Sequence, residues 1–145
     1  MTVRIIEKNE DNIYITDLIK NVKKSRKIDD SGAIFTFEGI VRGNEEGKKV
    51  DKLILTTPDK EKTTKDIENI VEDVKLKYGV FEISVVHYIG EFYTGDSLFL
   101  VVVLGSHRDE SYGALKDTIE RVKFDVVFKK EEISNEGVKT ILAGG

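Results

Sequence analysis

Residues 80–105 read VFEISVVHYIGEFYTGDSLFLVVVLG, and this stretch decides the class of the fold. Two runs rich in valine, isoleucine and phenylalanine, 80–91 and 97–105, flank the turn-forming Thr94-Gly95-Asp96. β-Branched and aromatic side chains fit a pleated surface, and glycine beside aspartate supplies a tight reversal, so the stretch reads as an antiparallel hairpin. Its second arm is apolar without a break from Leu98 to Leu104. That suits a buried strand and is far too short to cross a bilayer.

Upstream of the hairpin, Ile67, Ile70, Val71, Val74 and Tyr78 recur at helical spacing, with Thr57-Pro58 as the start signal and Gly79 as the stop. Downstream, Ser106 and Asp109 form a capping box for another helix, with Tyr112, Leu115, Ile119 and Val122 as its core face. Toward the N-terminus the pattern predicts a strand over 3–7, a helix over 15–24 and a strand over 32–42. A polar loop over 43–49, with two glycines, then leads to a strand over 50–55. Toward the C-terminus it predicts strands over 124–132 and 138–142 around Asn135-Glu136-Gly137. The order β-α-β-β-α-β-β-α-β-β, with hairpin-length connections, predicts an α+β fold with a mainly antiparallel sheet and three helices. No repeat, low-complexity segment or linker interrupts it, so a single domain over 1–145 is expected.

Composition narrows the function. With 39% hydrophobic and 34% charged residues the chain reads as a soluble globular protein. It has no cysteine, which excludes disulfides, thiolate metal sites and a cysteine nucleophile, and only two histidines, which disfavours a histidine metal site. A net charge of −4 argues against nucleic acid as a partner. Residues 1–10 carry no apolar leader, so no membrane partner and a cytoplasmic location are expected.

Four places could carry chemistry. Gly105-Ser106-His107-Arg108 brings cationic side chains to a helix N-terminus, where free N–H groups and the helix dipole favour an anion. The plain alternative is a capped helix with a surface arginine. Arg42 ends an apolar strand before a flexible loop and is either substrate-facing or an ordinary strand-end arginine. Lys123, Lys129 and Lys130 are either solvated charge balanced by Glu131 and Glu132, or part of a cationic pocket in which crowding depresses one amine. His87, mid-strand among Val86, Tyr88 and Ile89, reads as structural.

Four blocks occur in order: GAIFTFEGIVR over 32–42, HYIGEFYTGD over 87–96, Ser106-His107-Arg108, and Lys123 followed by Phe128-Lys129-Lys130-Glu131. Together they resemble the large, catalytic subunit of molybdopterin synthase, of the MoaE type, over most of the chain. The resemblance implies an α/β-hammerhead fold and a homodimer of large subunits within a heterotetramer. The other partners would be two small ubiquitin-like sulfur-carrier subunits ending in Gly-Gly, each bearing sulfur as a C-terminal thiocarboxylate. The implied activity is transfer of two sulfurs to cyclic pyranopterin monophosphate, giving molybdopterin, with no cofactor. A sulfur-transfer enzyme lacking cysteine must draw its sulfur from such a partner.

Carried over residue by residue, the resemblance makes Lys123 and Lys130 catalytic and assigns Phe37, Arg42, His107, Arg108 and Ile119 to substrate binding. His107 and Arg108 would reach the substrate across the dimer interface. The chain departs from the family pattern at Val127-Phe128-Lys129-Lys130, where proline and tryptophan are usual, at Leu55-Thr56-Thr57, and in ending at Ala143-Gly144-Gly145. These departures leave a second reading open, a catalytically silent dimeric module binding an anionic pterin-like ligand. The Gly144-Gly145 end also imitates the small partner's tail, and could occupy the pocket in its place.

Overall fold

The computed structural model describes residues 2–141. The Gly144-Gly145 tail and Leu142, at the end of the last expected strand, lie outside them. In chain order the elements are β1 (Val3–Glu7), α1 (Ile15–Val22), a short 3-10 turn (Ile28–Asp30), β2 (Ala33–Ile40), β3 (Asn44–Glu45), β4 (Lys48–Lys49) and β5 (Lys52–Thr56). There follow α2 (Lys60–Tyr78), β6 (Glu82–Phe92), β7 (Ser97–Gly105), α3 (Arg108–Asp125), β8 (Lys129–Ser134) and β9 (Gly137–Ile141).

The 80–105 hairpin is the spine. β6 and β7 pair antiparallel, with His87 opposite Phe99, and β2 adds to β7 with Phe37 opposite Val101. The path runs β2-β7-β6-β5-β8-β9, and β1 joins β6 in parallel over Val85–Ile89. β5 then takes the end of β6, Gly90 to Phe92. The change of neighbour falls at Gly90, whose φ of +128° is open to glycine and not to L side chains. All pairings but β1–β6 are antiparallel, as the hairpin-length connections predict. α2 and α3 pack on each other and on the sheet, and Val71, Val74, Ala114 and Val122 are fully enclosed with Val101 to Val103. No helix among the described residues is long and apolar enough to cross a membrane.

Both long helices start later than the sequence signals suggest. α2 is capped by Asp59, whose carboxylate accepts the Lys62 N–H at 3.1 Å, while the Thr57 hydroxyl is engaged with that of Thr63. A carboxylate is a strong cap and complements the dipole, so it displaces the Thr57-Pro58 start. α3 is boxed by His107 and Glu110, not by Ser106 and Asp109. Glu110 accepts the His107 N–H at 2.5 Å and the Ser106 hydroxyl at 3.1 Å. The buried face of α3 shifts accordingly to Ser111, Ala114, Leu115, Thr118 and Val122, leaving Tyr112 exposed over Phe35 and Ile119 half-buried.

The first turns of that face carry small residues because the helix lies hard on the sheet there. A Cβ on Gly105 would fall 2.1 Å from the Ser111 hydroxyl oxygen. The expected strand over 124–132 also moves: Phe124 and Asp125 close α3, buried Val126 turns the chain, and β8 begins only at Lys129. The polar loop over 43–49 folds back as the β3–β4 ribbon, turning at Glu46 and Gly47, whose φ values of 54° and 78° are those of a tight hairpin.

Candidate active site

Where α3 ends and β8 begins, the sheet and the β3–β4 ribbon enclose a cavity of about 710 Å³. Leu53, Leu55, Phe99 and Val122 give it an apolar floor. Arg42, Lys123 and Lys130 reach it from three separate elements, with Glu45 and Glu132 on its wall. The sequence-derived cations therefore converge, although they stand far apart in the chain.

Each cation has a local reason for its place. Lys123 lies in the last turn of α3, where a cation complements the helix C-terminus, and its amine sits 6.0 Å from the centre of the Phe37 ring. Phe37 in turn packs edge-on against Phe99 at 5.8 Å. Lys130 is the second residue of β8 and half-buried, opposite Leu55. Burial pulls its pKa below the ordinary 10.5, the charge of Lys123 adds to this and Arg42 adds a little, while Glu132 and Glu45 oppose it. Lys129, one residue earlier, is exposed and paired with Glu131 at 3.7 Å. Lys129 also borders the cavity, but neighbours in a strand point to opposite faces, so its amine turns to Glu131 and away from Lys130.

Arg42 has an exposed side chain, 3.2 Å from Glu45, on a clamped backbone. Val41 gives its N–H to the Asp96 carbonyl at 3.0 Å and accepts the Gly95 N–H at 2.8 Å. Gly43 presses so close to Thr94 that a Cβ there would meet its hydroxyl oxygen at 2.5 Å. The turn is itself pinned, because the Asp96 carboxylate accepts the Tyr93 N–H at 2.7 Å and the Lys8 ammonium at 2.5 Å. The turn residues of the 80–105 stretch thus hold the arginine loop.

Four expected site residues do not line the cavity, and of these only Phe37 stands beside it, against Lys123 and Phe99. His107 and Arg108 stand exposed at the opposite end of α3, and Ile119 packs on the core without lining the cavity. Arg108 and Lys123 are the first and sixteenth residues of one helix, which puts their backbones about 22 Å apart at about 1.5 Å per residue.

His87, read from the sequence as structural, and Phe128, read only as part of a motif block, both line the cavity. The His87 imidazole is buried between two rings, Phe99 at 4.9 Å and Phe128 at 4.3 Å, each within 25° of parallel. Burial, reinforced by the nearby charges of Lys130 and Lys123, lowers its pKa to about 4, so it is neutral. Its place in an apolar strand signals burial well enough. What no pattern signals is that this strand passes beneath two lysines.

The arrangement can bind an anion over an apolar floor and stabilise negative charge that develops there. A family model described as MoaE protein matches residues 9–125. The molybdopterin synthase catalytic subunit of Pyrococcus abyssi is 33% identical over 135 residues, which is 93% of this chain and 87% of that protein. Its counterpart from Escherichia coli is 31% identical over 116 residues, 79% of this chain and 76% of that one. Among solved structures, the molybdopterin synthase of Staphylococcus aureus superposes with a TM-score of 0.82 at 27% identity, covering 95% of each chain. The complex of subunits 1 and 2 of the molybdopterin-converting factor from Helicobacter pylori shares the fold, with a TM-score of 0.72 at 23% identity over 99% of this chain and 91% of that one.

Proposed function

The chain belongs to the MoaE protein family, and from that premise we propose how its cavity serves the activity for which its relatives are named, that of a molybdopterin synthase catalytic subunit. It is a sulfur transferase of molybdenum cofactor biosynthesis. The observation that carries the assignment to this cavity is the convergence of Arg42, Lys123 and Lys130 on one apolar-floored space.

The partner is a small ubiquitin-like carrier whose C-terminal glycine bears a thiocarboxylate, and the acceptor is cyclic pyranopterin monophosphate. When the thiocarboxylate sulfur bonds a pterin carbon, the oxygen that carbon held departs as phosphate or water, and a water later cleaves the acyl–sulfur bond and returns the carrier as its carboxylate. Fixed cations stabilise the negative charge of these steps best where water is scarce. Lys130, the most enclosed of the three, acts as charge stabiliser and proton donor. Lys123, at the exposed mouth beside Phe37, receives the incoming glycine tail, and Arg42 takes the phosphate as a fork of donors. The absence of cysteine fits sulfur arriving on the carrier.

His107 and Arg108 complete the site from a second copy of the chain, with Ile119 backing the same helix. About 22 Å of helix separates the pair from Lys123, so one chain cannot supply both ends of a small substrate's site. An apolar surface suited to such a contact is present beside them, since exposed Tyr112 lies over half-buried Phe35 on β2. A cytoplasmic location belongs to the same proposal. The silent-module alternative gains no support from a cavity whose cationic set is intact.

Incubation with cyclic pyranopterin monophosphate and thiocarboxylated carrier, with detection of molybdopterin, tests the reading. Lys130→Ala should abolish product while the fold persists, and Lys129→Ala should be mild. Near-normal turnover by Lys130→Ala would overturn the assignment.

A further inference from the structure

We propose that His87 is a positioning residue for Lys130: its imidazole, clamped between Phe99 and Phe128, sets the path by which the chain enters β8 and keeps the Lys130 amine in the cavity. The inference rests on the reading of Lys130 given above and assigns a role to a buried group that the sulfur chemistry does not use.

The geometry is specific. His87 lies opposite Phe99 in the β6–β7 register, so one face of its ring is fixed by the sheet. The other face takes Phe128 at 4.3 Å and 22°. Phe128 is followed by Lys129 and Lys130, and the segment from Val126 to Phe128 has no strand partner of its own. Buried Val126 anchors the start of this segment, and the ring stack is the contact that docks its end onto the sheet just before Lys130.

The ring's other bond fixes its state. Nδ1 lies 3.0 Å from the Tyr88 carbonyl, which can only accept, so Nδ1 carries the proton and Nε2 is bare. A neutral ring with one proton already committed adds no third positive charge beneath Lys123 and Lys130. A lysine or arginine at position 87 would add one. A phenylalanine would keep the stack and the neutrality while losing only the bond to Tyr88.

The test is made on the whole chain, with two independent readouts. Lysine side-chain NMR follows the titration of the Lys130 amine in the free protein. Steady-state turnover with thiocarboxylated carrier gives kcat and KM separately. His87→Ala removes the stack, and Phe128→Leu, at a half-buried position, loosens it with little threat to folding. Both variants should move the Lys130 titration back toward that of an ordinary lysine and lower kcat about tenfold or more, with KM for the carrier within about twofold. His87→Phe should restore both values.

An unmoved Lys130 titration in Phe128→Leu, or His87→Phe behaving like His87→Ala, overturns the proposal, because a plain packing role would lower stability without displacing the amine. The NMR result stands apart from catalysis. If the titration moves as stated while the natural sequence makes no molybdopterin, the positioning role holds and the functional reading is what fails.

Discussion

The Lys123 amine lies 6.0 Å from the centre of the Phe37 ring, a contact between the end of α3 and the middle of an edge strand. It ties an exposed cation at the cavity mouth to an aromatic residue that packs edge-on to Phe99. Phe37→Leu keeps the apolar packing and removes the ring's negative face. At this distance and exposure the attraction is worth about 0.5–1 kcal/mol. Turnover per substrate concentration should fall roughly twofold to fivefold, with the melting temperature little changed. A hundredfold loss would mean that the ring touches substrate directly.

In the proposed function Lys130 sets activity against stability. Burial and the charge of Lys123 hold its pKa below 10.5, so the folded chain retains the proton less well than the unfolded chain. Below the folded-state pKa the cost of the buried charge is complete. It fades as pH rises through that value and is gone above about 10.5. Lys130→Met should therefore raise the melting temperature at pH 7, lose turnover, and show a stability advantage that shrinks in strong alkali. A variant less stable than the natural sequence at pH 7 contradicts this account of the amine.

Gly43 is where the arginine loop meets the 93–96 turn. An added Cβ would lie 2.5 Å from the Thr94 hydroxyl oxygen and 3.1 Å from its methyl, so the threonine or the loop must shift to admit it. Gly43→Ala should cost about 1–3 kcal/mol of stability and displace Arg42, weakening binding of the phosphate-bearing substrate about tenfold. Combining it with Thr94→Ala should recover most of both losses. Binding unaffected in Gly43→Ala would show that the clamp does not position Arg42.

How much of this was legible beforehand differs by kind of feature. The hairpin over 80–105 declared itself because an unbroken apolar run beside a Gly-Asp turn has few other solutions. α2 and α3 declared themselves by period, but their first residues did not. Two adjacent candidates competed for each cap, and Asp59 and Glu110 won through side-chain bonds that a pattern cannot rank. Tyr112 was placed on the core face by spacing alone, whereas the close approach of α3 to Gly105 admits only small residues there. The lysines and Arg42 were legible through the ordered motif blocks. His87 was seen as buried and left at that, because Phe128, Lys123 and Lys130, which make its surroundings a cavity, come from segments more than thirty residues away.

The acid limb of stability should report His87. Its folded-state pKa is about 4 against an ordinary 6.5, so between these values the unfolded chain binds the proton and the folded chain does not. The neutral ring's full contribution is present above about pH 6.5 and is lost progressively as pH falls toward 4, a total of about 3 kcal/mol. His87→Phe cannot titrate. Its denaturation midpoint should be flatter over that range than that of the natural sequence. The carboxylates of Asp96 and Glu110, whose pKa values are held down, contribute equally to both proteins. Parallel limbs would show that the ring is hydrated in solution.

The separation of Arg108 from Lys123 along one helix yields the sharpest test of how the site is completed. If each cavity borrows Arg108 from a second copy, an Arg108→Ala subunit still offers intact lysines, and a Lys130→Ala subunit still offers an intact arginine. Paired in one dimer, they make one complete site and one doubly broken one. Co-expression with two affinity tags should yield three dimers that can be separated. Each homodimer should be inactive, and the mixed dimer should run at about half the natural rate per dimer. A site built within a single subunit would leave the mixed dimer no better than the mean of its parents. The two outcomes differ in kind, because no redistribution of stability among the dimers can create activity that neither parent possesses.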